Sequence, residues 1–123
     1  MSERLWAVRG AAQAERNDAE SILTATRELV GELIKRNALE PQAFVSIIFT
    51  CTGDLDAQFP AIAARELGLD QVPLLCSREI DVPGAMERVI RLLAHFHGPA
   101  DRKPEHVYLG ETQRLRVDLH SAQ

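Results

Sequence analysis

The apolar positions of this 123-residue chain change period several times, and each change marks an element. Residues 4–12, RLWAVRGAA, partly alternate apolar and polar positions and predict a strand, with Arg9 oddly placed inside it. Over 17–37 the period lengthens, and Ile22, Thr26, Leu29, Val30 and Leu33 fall on one helical face. Asp18 stands at the expected N-cap, with Ser21 rather than Glu three positions on, so the capping box is incomplete; Asn37 supplies a stop. Residues 43–52, AFVSIIFTCT, are β-rich and nearly all apolar, which predicts a central strand covered on both faces. A loop over 53–60 leads to a short helix over 60–68, with Pro60 at its start and Gly68 at its end. VPLLCSRE, 72–79, reads as a strand that is apolar through Leu75 and then turns polar at Cys76, Ser77, Arg78 and Glu79. Such an end either lies in solvent or carries polar groups into a pocket. The stretch 84–98 is ambiguous: Met86, Val89, Ile90 and Leu93 have helical spacing, although VIRLLAHF would also make a strand, and spacing alone favours the helix. A polar loop over 97–106, a strand over 106–111 and a short charged tail complete the chain. This order predicts a mixed sheet with helices against it.

The length suits one domain with one core, and an apolar fraction of 46% argues against disorder. Fourteen Lys and Arg against eighteen Asp and Glu leave a formal charge of −4, which offers no general attraction for nucleic acid or an anionic membrane. Lys35 and Lys103 are the only lysines, so the cations are nearly all guanidinium forks able to grip a carboxylate with two bonds. The bland reading of that excess is codon usage in a GC-rich genome. Cys51 and Cys76 make no disulfide framework, and a reduced, cytoplasmic protein is the default expectation. The N-terminus has no apolar leader core, and no run is long enough to span a bilayer. There is no internal repeat and no low-complexity segment.

Several side chains are candidates for chemistry. Arg9, Arg65, Arg91, Arg114 and Arg116 fall where a core would not want them, since a buried guanidinium needs a partner. Arg65 and Arg114 read as residues that stretch their head groups to water. Arg9 and Arg91 leave both readings open; Arg91 is the sharper case, with Val89, Ile90, Leu92 and Leu93 around it. Cys76 is either a nucleophile or an ordinary core thiol, with no Cys–His signature around it. Glu79 is either a general base or a solvated strand end. His95 and His97 could ligate a metal but lack suitably spaced partners, and a surface pair is the simpler reading. Tyr108 is either core or a polar tip reaching a ligand. No phosphate-cradling glycine loop, zinc pattern or basic-aromatic stripe is present. The residues by themselves describe an α/β domain with several arginines that could converge on a small anion.

Beyond that, six segments occur in a telling order: VRGA (8–11), TRELV (26–30), DLDAQFPAIAARELG (54–68), VPLLCSREIDVPG (72–84), VIRLLAHF (89–96) and HVYLGETQRLRVDL (106–119). Together they resemble the short, monofunctional, trimeric bacterial chorismate mutases of the barrel-like Bacillus type, over nearly the whole chain. The resemblance implies an α+β fold: a mixed sheet of about five strands with helices packed on it, assembling as a trimeric pseudo-barrel. It implies one domain over 1–123, with 113–123 a mobile tail. It implies the pericyclic (Claisen) rearrangement of chorismate to prephenate, towards phenylalanine and tyrosine, without metal or cofactor and in sites between subunits of a cytoplasmic homotrimer. Neither nucleic acid nor membrane is an expected partner.

The same resemblance distributes roles. Arg91 stands beside the breaking ether oxygen, Glu79 accepts from the ring hydroxyl, and Arg9 and Tyr108 hold carboxylates. Cys76 is a polar contact, Phe59 and Leu75 line the pocket, Arg65 sits at its rim, and Leu115 and Arg116 belong to the covering tail. Val117 stands where the family usually has Pro, and Ile62 where some relatives carry a charge. The resemblance also replaces the helix at 84–98 by a strand over about 88–96. Two alternatives stay open: a non-catalytic trimeric protein of the same architecture that binds a small carboxylate, and a thiol enzyme using Cys76. One geometric difficulty follows as well. Positions 76 and 79 differ by an odd number, so a straight strand sends them to opposite faces unless the chain bends near Ser77 or Arg78.

Overall fold

A computed structural model of the chain describes residues 2–115. Its elements are β1 (Glu3–Gln13), α1 (Ala19–Asn37), β2 (Phe44–Cys51), α2 (Ala61–Glu66), β3 (Leu74–Arg78), β4 (Val89–Pro99) and β5 (Val107–Tyr108), with single 3-10 turns at Pro41–Ala43 and Gly110–Thr112. The five strands form one mixed sheet in the order β3-β2-β4-β1-β5. β4 runs antiparallel to both of its neighbours, β1 and β2, while the outer pairs β2–β3 and β1–β5 are parallel.

The helices cover one face. Val8 and Ala12 of β1, Ile47 and Phe49 of β2, and Ile90, Leu92, Ala94 and Phe96 of β4 share a core with Ile22, Leu29, Val30 and Leu33 of α1. Each fully buried aliphatic side chain contributes ~1.5–3 kcal/mol. Gly10 lets the helix come this close: a Cβ there would lie 2.9 Å from Leu29 Cδ1 and 3.2 Å from the Val107 carbonyl. α1 starts at the expected cap, where the Asp18 carboxylate accepts from the Ser21 N–H at 2.7 Å. That bond and the nearby Arg16 guanidinium hold the Asp18 carboxyl below its ordinary pKa. At the other end Ala38 takes the left-handed cap, and the Asn37 side chain is buried.

Among the described residues no helix covers the other face, although Met86 and Leu115 pack over its β1–β5 end. Leu5 is 54% exposed and Leu75 62%, and Ile48, Leu93 and Arg9 are only half-buried. The expected two-sided cover of β2 is therefore absent among the described residues: Ile47 and Phe49 are buried, whereas Ile48 and Thr50 are partly open.

Three local readings change. The stretch 84–98 holds no helix, because β4 pairs along its length with β1 and beside β2, and backbone pairing on both edges outweighs a spacing of 86, 89, 90 and 93. β4 also runs to Pro99, where it still faces Glu3, so the following loop starts later than the expected residue 97. The strand expected over 106–111 shrinks to Val107–Tyr108, because Gly110 turns the chain at φ +57° and Thr112 folds its hydroxyl onto the Ala11 carbonyl at 3.0 Å.

Asn37 ties the loop before β5 to the helix end. Its Nδ2 donates to the Leu33 and Glu105 carbonyls at 3.0 Å each, and its Oδ1 accepts from the Glu105 N–H at 2.7 Å. Removing a buried partner of this kind costs ~1–3 kcal/mol. Asn37→Ala is therefore expected to lower the thermal midpoint by several degrees at fixed protein concentration; an unchanged midpoint would show that the tether contributes nothing.

Candidate active site

The strand register aligns one residue from each strand across the open face. Arg91 of β4 pairs with Ala11 of β1 on one side and Thr50 of β2 on the other. Ala11 in turn pairs with Tyr108 of β5, and Thr50 with Ser77 of β3. Paired residues point the same way, so the row Tyr108–Ala11–Arg91–Thr50–Ser77 crosses the whole sheet with Arg91 at its centre. Arg9 lies two residues before Ala11 and shares its face. Tyr108 is buried with Ala11 and Val89 in a small second apolar cluster, against which Met86 and Leu115 pack.

Glu79 reaches this row from just past the end of β3. Its backbone N–H donates to the Cys51 carbonyl at 2.9 Å, which turns its side chain over β2. Its Oε2 accepts from the Thr50 hydroxyl at 2.7 Å and lies 3.2 Å from Arg91 Nε. Arg91 Nε is enclosed and has no aligned hydrogen-bond partner among the described residues, although 40% of the side chain remains open. Arg91 thus lines two adjoining cavities, of about 610 and 250 Å³, separated by the loop 84–87. The larger is closed by Leu115 and Arg114, and the smaller holds Glu79. Since that loop walls both, Met86 and Glu87 belong to the site although the sequence did not mark them. Thr50 was also missed; its one signal was a hydroxyl in a largely apolar strand, which it shares with Ser46.

A second group of expected residues lies elsewhere. β3 runs without a bulge, so Cys76 points to the helix-bearing side and packs against the main core with Cys51 and Leu74. There it lines a separate cavity of about 380 Å³ with Phe59, Ser77 and Arg78. Cys76 and Glu79 are therefore in different cavities of one chain, as the odd spacing requires. Phe59 is 67% exposed. Leu75 stands on the Arg91 side, opposite Ile48. Arg65 is exposed on α2, away from these cavities, and Arg116 and Val117 lie outside the described residues. Ile62 of α2 is half-buried. Among the described residues no cluster of three or more His, Cys, Asp or Glu could hold a metal, and no helix is long and apolar enough to cross a membrane.

Cys51, beside this cavity, is an unreactive thiol. Burial pushes its pKa up to about 12, with Cys76, Glu79 and Asp54 adding to the rise. At pH 8 its thiolate fraction is then on the order of 10⁻⁴, far below that of a free cysteine. Its folded pKa lies above its unfolded one, so the stability it contributes is complete below the unfolded value and is lost as pH rises towards 12. Iodoacetamide at pH 8 is expected to leave Cys51 unlabelled in the native protein and to label it promptly in urea; equal rates in both would contradict the burial argument.

Comparison with known proteins gives one consistent result. The family model for chorismate mutase type I matches residues 5–119. Chorismate mutase AroH of Thermus thermophilus is 47% identical over 119 residues, covering 94% of this chain and 97% of its own length. Chorismate mutase AroH of Bacillus subtilis (strain 168) is 39% identical over 115 residues, covering 91% and 90%. Among solved structures, a chorismate mutase from Clostridium thermocellum superimposes with a TM-score of 0.84 at 44% identity, over 89% of this chain and 98% of that one. The chain belongs to the type I chorismate mutase family.

Proposed function

We propose that the chain catalyses the rearrangement of chorismate to prephenate, with Arg91 as the charge that stabilises the transition state. The supporting observation is the placement of Arg91: a guanidinium at the centre of the sheet's open face, with Nε 3.2 Å from Glu79 Oε2, that lines two cavities. The reaction breaks a C–O bond and forms a C–C bond within one molecule. It transfers no group to the protein, so the protein must fold the substrate into its reactive shape and meet the charge gathering on the ether oxygen. A permanently protonated guanidinium suits that task at any working pH. At an effective dielectric of about 20, a unit charge 4 Å away is worth ~4 kcal/mol. A half-developed charge gains half of that, between one and two decades in rate.

The neighbours divide the remaining work. Glu79 is oriented through Oε2 by Thr50, which leaves Oε1 for the ring hydroxyl of the substrate. Arg9 and the Tyr108 hydroxyl, on the same face, take carboxylates, and Leu115 closes the apolar side. Cys76 and Phe59, with Arg65, complete a site from a neighbouring subunit, because in one chain Cys76 and Phe59 line a different cavity from Arg91, and the tail at Arg116 covers it. Leu5, Ile48, Leu75 and Leu93 supply the apolar surface on which a homotrimer closes. The reading places the enzyme in the cytoplasm, where Cys51 and Cys76 stay as thiols.

Purified protein is expected to accelerate the loss of chorismate absorbance and to sediment at three times 13.7 kDa. Arg91→Ala should lower kcat/KM by ~10²–10³ or more, as the loss of a preorganised donor does elsewhere. Citrulline at position 91, which keeps shape and loses charge, should lose the one to two decades that the charge supplies. No acceleration by the native chain would sink the proposal, and near-normal turnover with citrulline would sink the electrostatic role of Arg91.

A further inference from the structure

Three residues before Arg91 the backbone takes a form that side chains with a Cβ rarely adopt: Arg88 has φ +54°. The chain needs that turn because β4 begins at Val89, directly after the loop 84–87 that walls both cavities around Arg91. A turn this unfavourable persists only where its surroundings force it. The forcing group is Asp54, 34 positions away. Its carboxylate accepts the Arg88 backbone N–H with both oxygens, at 3.2 and 3.0 Å. Thr52 is joined to the same device. Its hydroxyl donates to Asp54 Oδ1 at 2.6 Å and accepts from the Val89 N–H at 2.9 Å, and its own N–H donates to the Val89 carbonyl at 3.0 Å.

The opposite side is held by β1. The Arg88 carbonyl accepts from the Ala14 N–H at 2.8 Å, Arg88 Nε donates to the Ala14 carbonyl at 3.0 Å, and Gln13 Nε2 donates to the Glu87 carbonyl at 2.7 Å. The first residues of β4 are thus gripped from the ends of both flanking strands, two residues before the cation.

We infer that Asp54, with Thr52, is a positioning residue for catalysis: by holding Arg88 in its left-handed turn, it sets the start of β4 and the loop 84–87 and thereby the place of the Arg91 guanidinium. The inference rests on the proposed role of Arg91. Thr52 and Asp54 also line the smaller cavity beside Arg91, but the role inferred for them needs no contact with the substrate. What they supply is tolerance: a misplacement of about 1 Å at a reacting group costs on the order of 10²-fold in rate.

The device makes a specific prediction about glycine. Glycine adopts a positive φ freely, so at position 88 it removes the need for the clamp, whereas alanine keeps the need and loses the same guanidinium. Asp54→Ala should lower kcat ~10–100-fold with KM changed less than about threefold. Asp54→Ala/Arg88→Gly should recover most of that kcat, and Asp54→Ala/Arg88→Ala should recover none. Asp54→Asn, which keeps one acceptor, should fall between; if Asp54→Ala does not fold, the glycine and alanine comparison is made on Asp54→Asn. Amide exchange at Val89, read without substrate, should quicken in Asp54→Ala and slow again only with glycine. Equal behaviour of glycine and alanine, or a native kcat in Asp54→Ala, overturns the inference. Should the native chain leave chorismate unchanged, the exchange measurement still decides whether Asp54 holds the turn, so that failure is separable from failure of the clamp.

Discussion

The structure turns on one constraint: β4 is paired along both edges, so its side chains have only two directions available. Ile90, Leu92, Ala94 and Phe96 take the direction of the helices. Arg91 must take the other, and a guanidinium cannot be sealed there without a partner. The sheet answers by leaving that face open and by setting Glu79 beside it. An open sheet face, half-buried leucines and isoleucines, and a charge at the centre are thus one fact seen from three sides. A second layer of helices over this face would satisfy the hydrophobic effect and bury the site.

The same alternation separates two groups of the expected residues within one chain. β3 is straight over Leu74–Arg78, so Cys76 goes with the core and Glu79, one residue past the strand's end, goes with Arg91. No side-chain rotation exchanges them. In the proposed trimer, a substrate touching both groups would lie where the edge of one subunit meets the open face of the next. The exposed Phe59 and Leu75 point to the same joint, since apolar side chains this open in a lone chain gain free energy from cover.

Much of this was legible in the sequence because it is local or periodic. The cap at Asp18, the faces of α1 and a strand within 72–79, which shortens to Leu74–Arg78, follow from spacing and turn chemistry. Arg9 and Arg91 announced themselves by interrupting apolar runs. Other features left no such trace. Met86, Val89, Ile90 and Leu93 imitate a helix, and only pairing with β1 and β2 makes them a strand; cross-strand pairing is a property of distant sequence. Thr50 reads as a β-former, not as the group that orients Glu79. Asp54 reads as a loop residue, because its partner is a backbone N–H at residue 88, and backbone groups are invisible in a sequence. The roles of Glu79 and Tyr108 came from resemblance; periodicity alone left each of them open.

These unannounced residues share a feature that bears on how such a site works. Arg91 needs its charge placed before substrate arrives, because a cation that must reorganise during the reaction returns much of its advantage. Its own side chain cannot guarantee that: four rotatable bonds separate the guanidinium from the backbone. Placement is instead shared among neutral and anionic neighbours, of which only Glu79 is itself proposed to meet the substrate. Glu79 sits at Nε, Thr50 orients Glu79, and Thr52 and Asp54 fix the strand from which Arg91 springs. Three of these four are on β2 or the turn that follows it, and the fourth donates its N–H to the carbonyl of Cys51, the last residue of β2. The end of β2 is thus the frame of the site, although the residue it frames is on β4.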